Sequence, residues 1–318
     1  MPANRRQFIT NAAVLAAGAL VAPNAFAELG AKKSTLQISL AQWSLHKQLF
    51  AKKIDNLDFP SIAKNQFGIN VVEYVNQFFK DKANDTAYLN SLLQRCKDNG
   101  VTNHLIMIDG EGGLGESDAA TRNKAVENHY KWVDAAKHLG CKTIRVNAYG
   151  TSTREEVMKA AVEGLGKLGE YGQKAGINVI VENHGGYSSD GQWLATVMKT
   201  VGKKNVGILP DFGNFCLKRE ANKCVDEYDR YKGTKEMMPY AKGVSAKTYD
   251  FDAAGRCIET DYTKIFKIVK DAGFSGYIGI EYEGSKLSEE EGIKQTKILI
   301  QKEAKKAGIA LKDTSKMA

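Results

Sequence analysis

Three carboxylic acids stand at the ends of apolar, strand-like runs in the second half of this chain. Glu182 ends the run NVIVE, Asp211 ends VGILPD, and Glu281 ends YIGIE. A carboxylate buried at such a position is costly unless a cation or hydrogen-bond donors accompany it. The three acids therefore predict a shared site for a divalent cation. Mg²⁺ or Mn²⁺ would suit its hard oxygen ligands, and Co²⁺ or Zn²⁺ would be admitted if a histidine joined them.

Such a site suits proton transfer next to a carbonyl group. A divalent cation can hold two oxygens of a hydroxy-ketone and stabilise an enediolate while Glu182 and Glu281 act as base and acid. Alternate strand residues face the same way, so His184 shares the direction of Glu182, and Lys247 shares that of Ser245. We therefore expect Lys247 in the site as a third catalytic candidate. His184 is expected nearby, as a ligand or as a hydrogen-bonding neighbour of one.

Three further residues are candidates for binding substrate. Trp43 and His46 follow the first strand-like run and could form a stacking floor for a sugar ring, although core packing explains Trp43 nearly as well. Asn214 follows Asp211 and is placed to hydrogen-bond a sugar hydroxyl. Weaker pocket candidates follow the third and fourth strand-like runs, namely Asp109, Glu111, Asn147 and Tyr149.

These residues need a scaffold that brings strand ends together, and strand and helix patterns alternate along the chain. Strands are predicted at residues 36–42, 70–75, 104–109, 143–148, 177–183, 206–212, 243–248 and 277–282. Helices are predicted at residues 58–66, 86–99, 118–139, 153–175, 191–201, 225–238, 262–272 and 288–307, because apolar residues repeat there every three or four positions. The alternation predicts an α/β fold, a single (β/α)8 TIM barrel, with its site at the carboxyl ends of the strands. His129 and His138 lie on a predicted helix and are expected at the surface.

An open, doubly wound sheet is the competing architecture. It usually carries a glycine-rich phosphate loop after its first strand, whereas the first strand here ends in AQWSLH. The glycine-rich segment GEGGLG at residues 110–115 follows the third strand and lacks a Walker lysine. We interpret it as a substrate loop or lid.

The strand endings resemble those of the xylose isomerase-like barrels, a superfamily of sugar isomerases and epimerases that also contains hydroxypyruvate isomerase and endonuclease IV. The resemblance covers most of the chain after the N-terminal segment and is strongest over residues 177–284. It implies a divalent metal held by Glu, Asp, His and Glu on strands five to eight, and Glu182, Asp211 and Glu281 match the first, second and fourth ligands. It also implies that Glu182 and Glu281 are an acid–base pair, as in the ketose epimerases.

Two positions depart from the pattern that the resemblance implies. Ser245 stands where a histidine ligand is expected, and Asn214 replaces the histidine of an Asp-x-x-His pattern that begins at Asp211. Neutral serine is a poor metal ligand. Three alternatives stay open: three carboxylates with water, a contribution from His184, or weak or lost metal binding.

Several functions remain in competition. The first is a metal-dependent isomerase or epimerase of a sugar or keto-sugar. A 3-keto-glycoside lyase or hydratase would share the same first proton abstraction. A non-catalytic sugar-binding barrel would be favoured by the absence of the histidine ligand, whereas two retained glutamates argue against it. A nuclease is disfavoured because that chemistry needs a histidine-rich multi-zinc cluster.

Residues 1–27 are predicted to be a twin-arginine-type signal peptide, leaving residues 28–318 as the barrel domain. A twin arginine precedes a short apolar stretch and the motif AFA, which fits an A-x-A cleavage site. The apolar stretch is shorter than the roughly 20 residues that a bilayer span needs. We therefore expect a periplasmic or secreted protein without stable membrane insertion after cleavage.

Charge and composition limit the expected partners. The formal net charge is +8, but the lysines are scattered and no basic stripe is interleaved with aromatic residues. A nucleic-acid partner is therefore not expected. A small carbohydrate is the expected partner, and a homo-oligomer stays possible.

The chain contains five cysteines and no C-x-x-C motif, so a zinc–cysteine site is not expected. Isolated buried thiols are the default interpretation. A bridge between Cys216 and Cys224 is the alternative, since their spacing and an oxidising compartment would allow it.

Overall fold

The computed structural model describes residues 34–312, and the predicted signal peptide lies outside these residues. Its strands are β1 (Thr35–Ala41), β2 (Val71–Val75), β3 (Thr102–Met107), β4 (Thr143–Val146), β5 (Asn178–Glu182), β6 (Val206–Leu209), β7 (Cys216–Glu220), β8 (Lys223–Glu227), β9 (Val244–Thr248), β10 (Gly276–Tyr282) and β11 (Ala310–Leu311). Eight of them, β1 to β6 with β9 and β10, form a parallel barrel in the order β6-β5-β4-β3-β2-β1-β10-β9. The predicted (β/α)8 TIM barrel is confirmed.

The barrel closes where β6 meets β9. No continuous ladder joins these strands in the described chain; two isolated parallel bridges do so, Ile208 with Ala241 and Asp211 with Ser245. At the opposite end of the barrel axis, β11 pairs with the beginning of β1. The closing contact at Asp211 lies at the carboxyl ends of the strands, which is the end where barrels of this kind build their sites.

Helices cover the outside of the barrel. They are α1 (His46–Phe50), α2 (Phe59–Phe67), α3 (Thr86–Asp98), α4 (Ala119–His138), α5 (Arg154–Ala175), α6 (Gly191–Val201), α7 (Arg230–Met237), α8 (Tyr262–Asp271) and α9 (Glu289–Ala307). Their ends follow the sequence: Thr153 and Glu156 form a capping box at the start of α5, and Gly176 ends it at φ 77°. Among the described helices, none combines the length and the apolar character that crossing a membrane requires.

An apolar cluster fills the barrel interior below the strand ends. It comprises Ala41, Val75, Leu105, Met107, Ile180 and Leu209, all buried, with Trp43 and Phe78 packed against it from the mouth. The interior is therefore a packed core and not a pore, as is usual for barrels of eight parallel strands. Side chains at the strand ends stand on this core, which fixes the floor of the site.

The predicted helix at residues 225–238 is wrong at its start. The helix α7 begins only at Arg230, and residues 223–227 instead form an antiparallel hairpin with β7. The hairpin turns at Ala221 and Asn222, whose φ angles are 45° and 63°. The hairpin extends into solvent, so its apolar spacing does not report a buried helical face.

The expectation of isolated thiols is wrong for two cysteines. Cys216 and Cys224 form a disulfide, because the hairpin brings their Cα atoms within 5.7 Å of each other. Cys96, Cys141 and Cys257 are free and buried, as the default interpretation expected.

Candidate active site

The three acids singled out in the sequence come together at the carboxyl end of the barrel. Glu182 is the last residue of β5, Asp211 follows β6 by two residues, and Glu281 lies near the end of β10. Each side chain is buried, and each offers a carboxylate oxygen within 4.8 Å of the others. Among the described residues this is the group of acids that could hold a metal ion. Strand positions place Glu182 and Glu281, and the turn after β6 places Asp211.

A turn after β6 fixes Asp211. Its Oδ1 accepts hydrogen bonds from the backbone N–H groups of Gly213 (2.9 Å) and Asn214 (2.8 Å). The amide of Asn183, the neighbour of Glu182, closes the turn from the other side. Its Oδ1 accepts from the Asp211 N–H at 2.7 Å, and its Nδ2 donates to the carbonyl oxygens of Asp211 and Asn214. Asn183 was not a candidate from the sequence, because its role depends on a contact across two strands.

Ser245, at the position where a histidine ligand was implied, lies between two of the acids. Its hydroxyl is 2.6 Å from Asp211 Oδ2 and 3.1 Å from Glu281 Oε2. Ser245 thus connects β9 to the ends of β6 and β10. It orients two carboxylates, whereas a histidine at this position would itself be a metal ligand beside them.

Lys247 reaches the cluster as expected and is only 1% exposed. Its Nζ donates to Glu281 Oε1 at 2.7 Å and to Glu283 Oε1 at 2.8 Å. Burial alone would lower the pKa of Lys247, but the surrounding carboxylates, Glu281 first, raise it well above its ordinary value. The ammonium is therefore a permanent positive charge beside Glu281.

Arg145 on β4 is the main site residue that the sequence interpretation missed. Its Nε lies 2.8 Å from Glu182 Oε2, and its guanidinium donates to Asp109 Oδ1 at 2.7 Å. Asn147 donates to the same Asp109 oxygen at 2.7 Å. A signal was present, since Arg145 shares a strand face with Asn147, and a charged residue inside an apolar strand is unusual.

A cavity of about 690 Å³ opens above the cluster. Glu281, Glu283 and Arg145 reach its wall, whereas Glu182, Asp211 and Lys247 lie behind that wall. The weaker candidates Asp109, Glu111, Asn147 and Tyr149 all line it, together with part of the glycine-rich segment 110–115. The predicted substrate loop is therefore placed beside the acids.

The substrate-binding candidates occupy different positions. Trp43 lines the cavity. The ring of His46 stacks behind the Trp43 ring, with 4.9 Å between the ring centroids, and its Nδ1 forms a hydrogen bond with the Trp43 carbonyl oxygen. His184 lines the cavity and contacts the Tyr149 hydroxyl, while Asn214 points to Glu182 Oε1 at 3.1 Å. His184 lies outside the group of possible metal ligands.

His129 corrects the expectation that both helical histidines are at the surface. It is 2% exposed and lines the cavity, because the α4 face that carries it packs towards the glycine-rich segment. His138 is exposed as expected.

The cluster contains more carboxylates than cations, and the pKa values of its three acids are shifted from their usual values. Burial raises the pKa of Glu182 to about 7 against the attraction of Arg145, and it raises the pKa of Asp211 to about 8 against Lys247. Burial also acts upwards at Glu281, but the Lys247 ammonium outweighs it and holds that pKa below its usual range. Several buried acids share only two cations, Arg145 and Lys247, and a bound divalent cation would reduce the repulsion between their carboxylates.

Comparisons with solved structures find the same fold at low identity. L-ribulose 3-epimerase is 13% identical, with a TM-score of 0.62, over 86% of this chain and 95% of that one. The IOLI protein with a bound zinc atom is 16% identical, with a TM-score of 0.63, over 85% and 99%. The 3-keto-D-glucoside 4-epimerase YcjR from E. coli is 13% identical, with a TM-score of 0.58, over 84% and 99%. At these identities the likeness establishes the fold alone.

A search of curated protein sequences finds no match. The profile of the xylose isomerase-like TIM barrel, in contrast, matches residues 63–302. This range runs from α2 to α9 and contains every strand that contributes an acid to the cluster. The chain belongs to the xylose isomerase-like TIM barrel family.

Proposed function

We propose that this chain is a divalent-metal-dependent isomerase or epimerase of an uncharged sugar or keto-sugar, which begins by removing a proton from a carbon next to a carbonyl. The observation that carries the proposal is the meeting of Glu182, Asp211 and Glu281, whose oxygens approach within 4.8 Å beside a large cavity. Two similar folds named as sugar epimerases, the L-ribulose and the 3-keto-D-glucoside enzymes, support it.

The donor set fits a divalent cation. Glu182, Asp211 and Glu281 would hold it through hard oxygen ligands, and Ser245 would orient two of them by its hydrogen bonds. When bound, the cation supplies Lewis-acid stabilisation of negative charge on a carbonyl oxygen. The zinc named with the IOLI protein supports a metal in this fold.

Glu281 is the acid best placed to take the proton from a substrate. It reaches the cavity wall, and Lys247 keeps it ionised and oriented at 2.7 Å. Glu182, whose carboxylate lies within 4.8 Å of that of Glu281, is the second proton-transfer group, held in place by Asn214 and Arg145. Lys247 and Arg145 thus each hold one member of the acid–base pair.

The charge of the cavity supports an uncharged substrate. Five carboxylates line it, from Asp109, Glu111, Glu116, Glu281 and Glu283, and Arg145 is the one guanidinium. His184 adds no charge near neutral pH, because burial, with Arg145 nearby, lowers its pKa to about 4. A phosphate or carboxylate on the substrate would meet net repulsion here.

The test is exchange of substrate hydrogen with solvent deuterium, with metal content measured by elemental analysis. We expect about one equivalent of metal in the wild type and its loss in Glu182→Gln, Glu281→Gln protein. With ketoses, aldoses and 3-keto-glycosides as substrates, Glu281→Gln should slow exchange by about 100-fold or more, the range of general acid–base effects. Phosphorylated sugars should be inert. The matched control is Glu170→Gln, an exposed glutamate on α5.

The Glu182→Gln variant separates the two proton-transfer roles. If Glu281 takes the proton and Glu182 returns one, this variant should still incorporate deuterium but form little isomerised or epimerised product. Loss of an aglycone in place of epimerisation would indicate the 3-keto-glycoside lyase. Metal binding without any exchange, for every sugar tried, would contradict the proposal in favour of a sugar-binding barrel.

A further inference from the structure

Three aromatic rings form a patch at the rim of the barrel mouth. Phe50, at the end of α1, lies 5.1 Å from Phe78 and 5.8 Å from Trp43, measured between ring centroids, and Trp43 lies 6.0 Å from Phe78. We call Trp43, Phe50 and Phe78 the aromatic patch. Phe50 leaves 56% of its surface exposed although it belongs to this patch.

The patch is supported from below. Trp43 and Phe78 pack on the apolar cluster inside the barrel, and the ring of His46 stacks on Trp43. Two rings fixed on a core, with Phe50 packed against both, present a contact surface at little conformational cost. The other strongly exposed aliphatic side chains, Val225, Ile258 and Ile298, have no such setting. Single exposed hydrophobic residues of that kind need no explanation, but an aromatic group beside a cavity does.

The patch is continuous with the main cavity. A second cavity of about 540 Å³ is lined by Phe50, Phe78 and Gln77. Gln77 and Trp43 also line the main cavity that Glu281 reaches. A molecule lying across Gln77 would therefore place one part at the carboxylates and another part on the rings.

The polar groups that line the second cavity are of two kinds: those of Asp55, Asn56 and Asp58 are engaged within the fold, and those of the exposed Lys52, Lys53 and Gln77 face solvent. Asp55 and Asp58 form a capping box, and the Asn56 side chain bonds Gln42 and Tyr88. This region therefore offers a ligand an aromatic surface, with the donors of Lys52, Lys53 and Gln77 at its edge. An aromatic ring is favoured because the exposed Phe50 and its tilted neighbour Phe78, with 60° between the ring planes, offer it a stacked and an edge contact at once.

We propose that the aromatic patch is a subsite for the aglycone, so that the substrate is a glycoside whose sugar ring lies at Glu281 and whose aromatic group stacks on Phe50 and Phe78. The inference rests on the proposed function for the position of the sugar. It adds the substrate class, an aryl glycoside.

The experiment compares matched methyl and phenyl glycosides of glucose and galactose, in both anomers, by isothermal titration calorimetry. In the wild type, one phenyl glycoside should bind at least about fivefold more tightly than its methyl partner, the scale of an aromatic contact. In Phe50→Ala and in Phe78→Ala this ratio should fall to about twofold or less, with the methyl glycoside unaffected. Ile298→Ala, an exposed aliphatic residue on α9, should keep the ratio.

Folding of each variant is checked by thermal melting. Phe50 is mostly exposed, so its truncation keeps the test interpretable even if Phe78→Ala unfolds. Equal affinity for methyl and phenyl partners, no measurable binding of any phenyl glycoside, or a ratio that survives Phe50→Ala would overturn the inference. A disaccharide that gains as much as the phenyl glycoside would also overturn it, in favour of a second sugar ring.

Binding and proton exchange fail independently. Exchange with free sugars but no phenyl preference would leave the proposed function intact and remove the aglycone subsite. A phenyl preference that depends on Phe50, in a protein that exchanges no substrate hydrogen, would keep the subsite and remove the enzyme.

Discussion

The hydroxyl of Ser245 has one hydrogen but two carboxylate neighbours. It lies 2.6 Å from Asp211 Oδ2 and 3.1 Å from Glu281 Oε2. It can donate to only one of them, so the other contact is favourable only when that carboxyl carries a proton or when a cation lies between them. Burial raises the pKa of Asp211 to about 8, whereas Lys247 holds the pKa of Glu281 below its usual range, so Asp211 binds a proton more readily than Glu281. Ser245 therefore links the charge states of Asp211 and Glu281.

A fourth buried acid lies deeper in the barrel, and no step of the proposed mechanism uses it. Glu73 on β2 is 2% exposed; its Oε1 accepts from Ser39 at 2.5 Å and its Oε2 has no hydrogen-bond partner. Burial raises its pKa to about 7. The folded chain thus holds this proton more tightly than the unfolded chain, whose glutamate pKa is about 4.3.

Replacement of Glu73 by glutamine should change how stability depends on pH. The raised folded-state pKa gives stability that is fully present below about pH 4 and is lost as pH rises to about 7, a loss of the order of 3 kcal/mol. The Glu73→Gln variant does not lose this stability, because glutamine does not ionise. Urea unfolding should show that the free energy of unfolding of the variant, relative to that of the wild type, increases by about this amount from pH 4 to pH 8.

The exposed Glu170→Gln variant is the control for this measurement, and it should follow the wild type at both pH values. An unchanged difference between Glu73→Gln and the wild type at pH 4 and pH 8 would show that Glu73 is ionised, and hence solvated, in the folded protein.

At the scale of elements, the β7–β8 hairpin is attached to the site yet separate from it. It begins two residues after Asn214, and its strands are mostly exposed. The Asn214 carbonyl oxygen is held by Asn183 and by Ser189. These bonds do not involve the hairpin, so the site end of the loop is anchored independently.

Reduction of the Cys216–Cys224 disulfide should loosen the hairpin without disturbing the barrel. A bridge across so short a loop restrains the opened state by about 2–3 kcal/mol in the chain-entropy account. Limited trypsin digestion should then cut faster after Lys218, Arg219 or Lys223, while the thermal midpoint of the barrel changes little. Cys224→Ser without reductant should behave like reduced wild type. Equal resistance of oxidised and reduced protein would show that the hairpin is held by other contacts.

For the whole molecule, the alternation of strands and helices and the residues at strand ends could be predicted from the sequence. Glu182, Asp211, Glu281 and Lys247 were located together because strand direction and alternation place them, and the barrel follows from the alternation of elements. Arg145 was missed because its partners, Glu182 and Asp109, lie at the ends of the two neighbouring strands, a contact that the sequence of its own strand does not show. The hairpin was misread because a disulfide and two left-handed turn residues, and not its apolar spacing, determine it.

The aromatic patch shows the same limit. Trp43 could be proposed from its position after β1, but Phe50 and Phe78 are separated from each other by a strand and a helix. Only the folded chain brings their rings to 5.1 Å. Residues on one strand can be read from the sequence, whereas a surface built by several loops requires their geometry.

The short strand β11 has a practical consequence for handling the protein. It returns the chain to the beginning of β1: the Ala310 N–H donates to the Ser34 carbonyl oxygen at 3.1 Å, and the Lys312 N–H donates to that of Leu36 at 2.8 Å. The first and last described residues therefore lie side by side, at the opposite end of the barrel axis from Glu281. Immobilisation on a sensor surface through a cysteine introduced at the exposed Lys312 should leave the mouth facing solution and should retain the glycoside-binding capacity. Coupling through a cysteine introduced at Gln77, on the rim, should abolish it.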